Sequence, residues 1–112
     1  MIIRNKTRNT VLSSDAEECS TFFSKFIGLM FSRCRSLVFV FRHEQIIPLH
    51  MIFVFYPIDV IFLSKKKMVV ELKQSFLPFT FYSPSNKAMY VIELPAGAIG
   101  RSKTRISDQI II

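Results

Sequence analysis

The sequence contains little glycine and little cysteine, and each shortage argues against a class of protein. Three glycines in 112 residues, without any low-complexity run, argue against a disordered or fibrous chain. The two cysteines, Cys19 and Cys34, could form one disulfide, but a chain in which 50% of the residues are hydrophobic does not need it. We therefore expect a single globular domain over residues 1–112, folded around one core.

Motifs of catalysis and cofactor binding are also missing. The sequence has no glycine-rich loop that would cradle a phosphate, and no serine or cysteine stands in a nucleophile motif. His43, His50 and Cys34 lack the spacing of a metal-binding set, which favours a place in the core for His50. We therefore expect no cofactor and no metal, and an enzymatic function has little support.

One long apolar run, residues 46–63, is about the length of a membrane helix. It contains two prolines and Asp59, and it is crowded with Val, Ile and Phe, which favours two consecutive buried strands over a membrane span. Residues 1–10 carry charge without an apolar segment behind them, so they do not resemble a secretory signal. The sequence therefore predicts a cytoplasmic protein without a membrane span.

The apolar pattern predicts a mainly β fold, a compact β-barrel or sandwich of about six to eight strands with one short N-terminal helix. Ser14 or Asp15 would cap this helix and Gly28 would end it. The main predicted strands are 37–41, 47–55, 58–63, 68–74, 87–94 and 109–112. Connections are expected at 42–45, 64–67 and 95–100. In the strand 68–74, alternation places Glu71 and Lys73 on a solvent-exposed face.

Two carboxylates interrupt predicted apolar strands. Asp59 is the only polar residue of the run 57–63, and burying an unpaired carboxylate is costly, so it needs either a ligand or backbone N–H donors beside Pro57. Glu93 lies near the end of its strand, where it could share one rim of the fold with Asp59. Paired carboxylates can bind a cation, a sugar or an arginine, or can divide acid and base roles.

Positive charge predominates, with 15 Lys and Arg against 8 Asp and Glu and a formal net charge of +7. Two similarly spaced triplets of cations lie near the two ends of the chain: Arg4, Lys6 and Arg8, and Arg101, Lys103 and Arg105. Because the termini of a domain often lie close together, the triplets could form one basic patch, with chance similarity as the alternative. A basic patch attracts nucleic acid or another polyanion, although a solvated surface is the simpler interpretation.

An ordered set of segments runs through the chain from about Asp15 onward. Its members are Gly-Leu-Met at 28–30, the strand at 37–41, Met51 followed by Pro-Ile-Asp-Val-Ile-Phe at 57–62, and Tyr-Val-Ile-Glu-Leu-Pro-Ala-Gly at 90–97. This set resembles the domain-of-unknown-function family numbered 192. The resemblance implies a compact, mainly β barrel or sandwich with a short helix near the start, and it brings no established activity.

The resemblance also marks particular positions. Asp59 and Glu93 match the two acidic motifs of the family, and Gly28, Pro57 and Gly97 match backbone positions. The chain departs from the family pattern where a Trp-Met-Lys-Asn-Thr run is common, because residues 50–54 read His-Met-Ile-Phe-Val.

Three functions are compatible with these residues. The first is a non-enzymatic binding module in which Asp59, Glu93 and His50 recognise a polar small molecule or a protein segment at a pocket or rim. The second is binding of nucleic acid or another polyanion through the basic surface. The third is a hydrolase that uses the two carboxylates. We favour the binding module, since no nucleophile, metal cluster or cofactor motif supports an enzyme.

Overall fold

A five-stranded sheet forms the middle of the computed structural model, which describes residues 1–19, 36–51 and 54–112. The strands of the described residues are β1 (Ile3–Asn5), β2 (Thr10–Ser13), β3 (Glu17–Cys19), β4 (Leu37–Gln45), β5 (Leu49–His50), β6 (Ile58–Leu63), β7 (Val69–Phe76), β8 (Phe81–Tyr82), β9 (Ala88–Pro95) and β10 (Ile110–Ile111). One helix of these residues, α1, spans Ala98–Ser102. The central sheet has the strand order β3-β4-β9-β6-β7.

The central sheet is covered on both faces, which explains why its inner strands are apolar almost throughout. All six residues of β6 are buried, because this strand lies between β9 and β7 and has a layer above and below it. The pairs β4–β9, β9–β6 and β6–β7 are antiparallel, whereas β3 joins β4 in parallel.

The two faces carry separate hydrophobic clusters. Face A, the side with Leu37, Val60 and Val91, packs against a layer that includes Met51 and Tyr82, next to the small β5–β8 sheet. Face B is the opposite side, and its apolar residues pack against the sheet β10-β1-β2 and the helix α1. The described strands thus form open sheets in a sandwich-like arrangement.

Much of the predicted secondary structure is confirmed. The fold is mainly β and sandwich-like, β6 has the predicted bounds, and the turn at 64–67 closes through hydrogen bonds from the backbone N–H of Ser64 to the carbonyl of Met68 and from Lys67 to Ser64. The predicted turn at 42–45 is wrong, because β4 continues to Gln45, where it pairs with Ala88 of β9.

The helices differ from the expectation at both ends of the chain. A helix beginning at Ser14 or Asp15 was expected to include Glu17–Cys19, but these residues form β3 beside β4. The rest of the predicted helix, with its end at Gly28, lies outside the described residues. The helix α1 instead lies in the segment predicted as a tight connection, directly after Gly97.

The long apolar run does not form a helix in the described residues. Of the two buried strands predicted here, β6 is confirmed, whereas the predicted strand 47–55 is reduced in the described residues to the half-buried β5, which pairs with β8 in a separate sheet. Across residues 1–19, 36–51 and 54–112, no helix is both long and apolar enough to cross a membrane.

Candidate functional site

Asp59 is a fully hydrogen-bonded carboxylate on face B. It lies in β6, is 1% exposed, and accepts three backbone hydrogen bonds. The N–H of Ser75 donates to Oδ1 at 3.0 Å, and the N–H groups of Gly97 and Ile99 donate to Oδ2 at 3.1 and 2.9 Å. The carboxylate therefore connects β6 to the end of β7 and to the start of α1. This arrangement corresponds to the alternative in which backbone N–H groups, and not a ligand, are the partners of Asp59.

Glu93 is also a buried carboxylate, but its neighbours, in contrast to those of Asp59, are apolar. It lies in β9, the central strand, and is 6% exposed. Its neighbours across the sheet are Leu37 in β4 and Val60 in β6, both fully buried. Among the residues that the structure describes, none forms a hydrogen bond or an ion pair with this carboxylate. Burial raises the pKa of Glu93 to about 8.

The two carboxylates do not share one rim. Glu93 pairs with Val60, whose side chain belongs to face A, whereas Asp59 is the next residue of β6 and therefore points to face B. Successive side chains of a strand alternate between faces, so adjacent registers on β6 and β9 place the two acidic groups on opposite sides of the sheet. A site in which they act together on one substrate is not formed by this geometry.

A row of side chains crosses face A at the level of Glu93. The register Leu37–Glu93–Val60–Lys73 extends from β4 to β7, and Glu17 of β3 pairs with Leu37 at the other edge. Strands lie about 4.8 Å apart, so Glu17 and Lys73 are each about 10 Å from Glu93 along the sheet. Glu93 is thus flanked directly by apolar side chains, with charged groups only at the edges of this row.

A cavity opens at the β7 edge of the same face. It has a volume of about 220 Å³, and its lining includes Lys73, Phe76 and the exposed ring of Phe81. Phe76 belongs to the cluster of face A together with Val60, the neighbour of Glu93. The cavity therefore adjoins the layer in which Glu93 is buried.

Glu71 forms a buried polar cluster that the sequence did not predict. It is 9% exposed rather than on a wet face. Its Oε1 accepts hydrogen bonds from the N–H of Ser85 and from the backbone and side-chain nitrogens of Asn86, and its Oε2 accepts a short one from the hydroxyl of Tyr82. Burial alone would raise the pKa of Glu71, but these donors, Tyr82 first, hold it below its ordinary value. The same bond raises the pKa of Tyr82 to about 12.

The sequence prediction was wrong at Glu71 because it assumed that one face of β7 is exposed to solvent. Both faces of the central sheet are covered, so Glu71, which pairs with Phe62, points into the layer on face A. Lys73 is half-buried on the same face, and its ammonium lies 5.2 Å from the centre of the Tyr82 ring. Glu71 lies between Val70 and Leu72 in the sequence, and a polar residue in such a position can be either buried or exposed. The local sequence therefore did not indicate that Glu71 is buried.

The other predicted positions are dispersed. His50 is half-buried in β5, where it pairs with Phe81 of β8. Pro57 is exposed directly before β6, Gly97 directly precedes α1, and Gly28 lies outside the described residues. In the described part of the chain, no three His, Cys, Asp or Glu side chains are grouped so that they could hold a metal ion.

The two basic triplets meet at Asp108. Its Oδ2 accepts hydrogen bonds from the side-chain nitrogen of Asn5 at 3.0 Å, from Nε of Arg8 at 3.0 Å and from the N–H of Arg105 at 2.9 Å. Burial would raise the pKa of Asp108, but the bonds from Arg8, Asn5 and Arg105 hold it below its ordinary value. Asn5 also donates to the hydroxyl of Thr104 at 3.0 Å.

Proteins similar to this chain extend over nearly all of its length. The model of the DUF192 family, described as Uncharacterized ACR, matches residues 3–112. A UPF0127 protein of Thermococcus sibiricus is 38% identical over 110 residues, which cover 95% of this chain and 71% of that protein. A UPF0127 protein of Pyrococcus furiosus is 34% identical over 109 residues, which cover 95% of this chain and 93% of that protein.

Among solved structures, a crystal structure of a protein of unknown function from Novosphingobium aromaticivorans has the same fold. The two chains superpose with a TM-score of 0.86 at 17% sequence identity, over 99% of this chain and 82% of the other. At this identity the likeness establishes the fold, and it carries no activity.

Proposed function

Because this chain belongs to the DUF192 family, which is described without an activity, we propose a function from its own residues: a non-enzymatic module that binds a cationic group at the Glu93 carboxylate. The observation that carries the proposal is the placement of this carboxylate, 6% exposed in the central strand, without a partner among the described residues. The ligand would be an amine or a guanidinium, belonging to a small molecule or to a protein segment.

The chemistry of an unpaired, desolvated carboxylate favours a cation. Its neighbours Leu37 and Val60 supply no donor side chain, so the carboxyl group is destabilised in its charged form until a partner neutralises it. A charge-assisted hydrogen bond in such surroundings is stronger than one formed in water. The cavity of about 220 Å³ lies at the β7 edge of the same face, and its lining residue Lys73 is about 10 Å from Glu93 along the sheet.

Binding is better supported than two-carboxylate hydrolysis. A hydrolase of that type needs both groups on one substrate, whereas Asp59 and Glu93 point to opposite faces of the sheet. Asp59 is moreover engaged by three backbone N–H groups.

The test is a calorimetric titration of the parent and of Glu93→Gln with methylamine, putrescine, agmatine and a short arginine-containing peptide. Near pH 7, Glu93 is mainly protonated, so binding of a cation should release a proton. Titrations in two buffers of different ionisation enthalpy should therefore give different apparent enthalpies for the parent. In Glu93→Gln, the affinity should fall at least about ten-fold, which corresponds to about 1.4 kcal/mol, and the proton release should disappear.

The matched control is Glu18→Gln, which makes the same chemical change at an exposed position. Its affinity and proton release should equal those of the parent. Failure of every probe to bind the parent more tightly than it binds Glu93→Gln would contradict the proposal.

A further inference from the structure

A polar network connects two segments near the two ends of the chain, 4–8 and 101–105, each of which carries three cations. Asp108 accepts hydrogen bonds from the side chains of Asn5 and Arg8 in the segment 4–8 and from the backbone N–H of Arg105 in the segment 101–105. Thr10 adds a bond from its hydroxyl to the carbonyl of Ser102 at 2.8 Å. These hydrogen bonds hold the segments 4–8 and 101–105 against each other.

The six cations of these segments belong to exposed residues; Nε of Arg8 donates to Asp108, and the guanidinium of Arg101 lies beside Gly97. The terminal basic surface consists of six exposed residues, Arg4, Lys6, Arg8, Arg101, Lys103 and Arg105. Of these, Arg8 forms an ion pair, at 3.0 Å to Asp108. Four of the eight acidic residues of the chain are buried, namely Asp59, Glu71, Glu93 and Asp108. The four exposed acidic residues, Asp15, Glu17, Glu18 and Glu44, lie outside both segments in the sequence.

Lys103 occupies a backbone position that normally favours glycine. It follows α1 with φ 58° and ψ 29°, in the left-handed region, where its N–H closes the helix on the carbonyl of Gly100. A side chain here costs about 1 kcal/mol relative to glycine. This helix end places Lys103 in an exposed position between the cations Arg101 and Arg105.

We propose that the terminal basic surface binds the sugar-phosphate backbone of a nucleic acid without reading its base sequence. Four of its six cations are arginines, whose planar guanidinium matches phosphate oxygens in a bidentate manner. The cations belong to β1, the turn after it, α1 and the residues that follow α1, and Asp108 connects the two segments through Asn5, Arg8 and Arg105. Membrane binding through an amphipathic helix is not supported, because these segments form a short strand and a five-residue helix.

The experiment compares two triple variants with the same change in net charge. Lys6→Gln/Lys103→Gln/Arg105→Gln removes three cations of the terminal basic surface and leaves Arg8 and Asp108 in place. The control variant, Arg42→Gln/Lys65→Gln/Lys87→Gln, removes three exposed cations that lie outside the segments 4–8 and 101–105. Fluorescence anisotropy would measure the binding of a short labelled DNA duplex and of a single-stranded RNA from about 50 to 200 mM KCl.

For the parent on duplex DNA, six phosphate contacts predict a slope of log K against log salt of about −5. The first variant should lose at least ten-fold in affinity and show a slope of about −3, whereas the control variant should keep the parent's slope. Unfolding midpoints equal to that of the parent would establish that both variants are folded. The proposal is overturned by absence of binding, by equal losses in the two variants, or by equally tight binding of phosphatidylserine vesicles or polyglutamate.

Discussion

Asp59 and Glu93 are both carboxylates in the central sheet, yet their surroundings differ. Asp59 accepts three backbone hydrogen bonds, so its burial is compensated. Glu93 has apolar neighbours and no partner among the described residues, so its charged form is not compensated. Removing the charge from each residue should therefore affect stability in opposite directions.

Asp59→Asn should destabilise the fold by roughly 2–4 kcal/mol. The amide retains one acceptor oxygen and places an NH₂ group against backbone donors, so at least one of the N–H groups of Ser75, Gly97 and Ile99 loses its acceptor. Urea unfolding at neutral pH would measure the change. Asp15→Asn makes the same substitution at an exposed position and should cost less than about 0.5 kcal/mol. Equal stability of Asp59→Asn and the parent would contradict the structural role.

At the scale of secondary-structure elements, the start of the helix α1 is stabilised by a carboxylate in the strand β6. Its first residues have no side-chain cap of their own, and two N–H groups near its start, those of Gly97 and Ile99, donate to Asp59 in β6. A helix of five residues would not be stable by itself. This explains why the segment 95–100 resembled a plain connection in the sequence.

The two glycines of this region should respond differently to alanine. Gly97 has φ 95°, a conformation that side chains rarely adopt, so Gly97→Ala should cost about 1–2 kcal/mol. Gly100 lies inside α1, and a methyl group added there would point into open space, so Gly100→Ala should be neutral or stabilise by up to about 1 kcal/mol. Thermal and urea unfolding of both variants would check this, and equal effects would show that the left-handed backbone at Gly97 is not the cause.

At the scale of the whole molecule, buried carboxylates should set an acidic optimum of stability. The pKa of Glu93 is raised from 4.5 to about 8, so between these values the folded state binds more protons than the unfolded state, and stability falls as pH rises. The pKa values of Glu71 and Asp108 are lowered, so their contributions are lost as pH falls below their ordinary values of 4.5 and 3.8. The most stable pH should be near 5.

Urea unfolding of the parent and of Glu93→Gln across this range would measure the effect. The stability of the parent relative to the variant should decrease by about 3–5 kcal/mol between about pH 5 and 8, because only the parent must ionise a buried group. Glu18→Gln should follow the parent at every pH, since Glu18 is exposed. A constant difference between the parent and Glu93→Gln would contradict the assignment of the effect to Glu93.

The sequence by itself determined the class of the fold and most of its strands. Runs of apolar residues predicted β6 and β9, because a strand buried on both faces needs apolar residues at nearly every position, and alternation predicted β7. The same reasoning identified Asp59 and Glu93, since a carboxylate in such a run conflicts with its surroundings.

The tertiary structure alone decided what those residues face. Register between β6 and β9 separated Asp59 from Glu93, and a layer over face A buried Glu71. Asp108 joined segments about a hundred residues apart in sequence, as its bond to Asn5 shows. The local sequence pattern indicates which residues of a strand alternate between its two faces. The partner of each residue across the sheet, and the layer that covers each face, depend on contacts between distant parts of the chain, so the local pattern does not determine them.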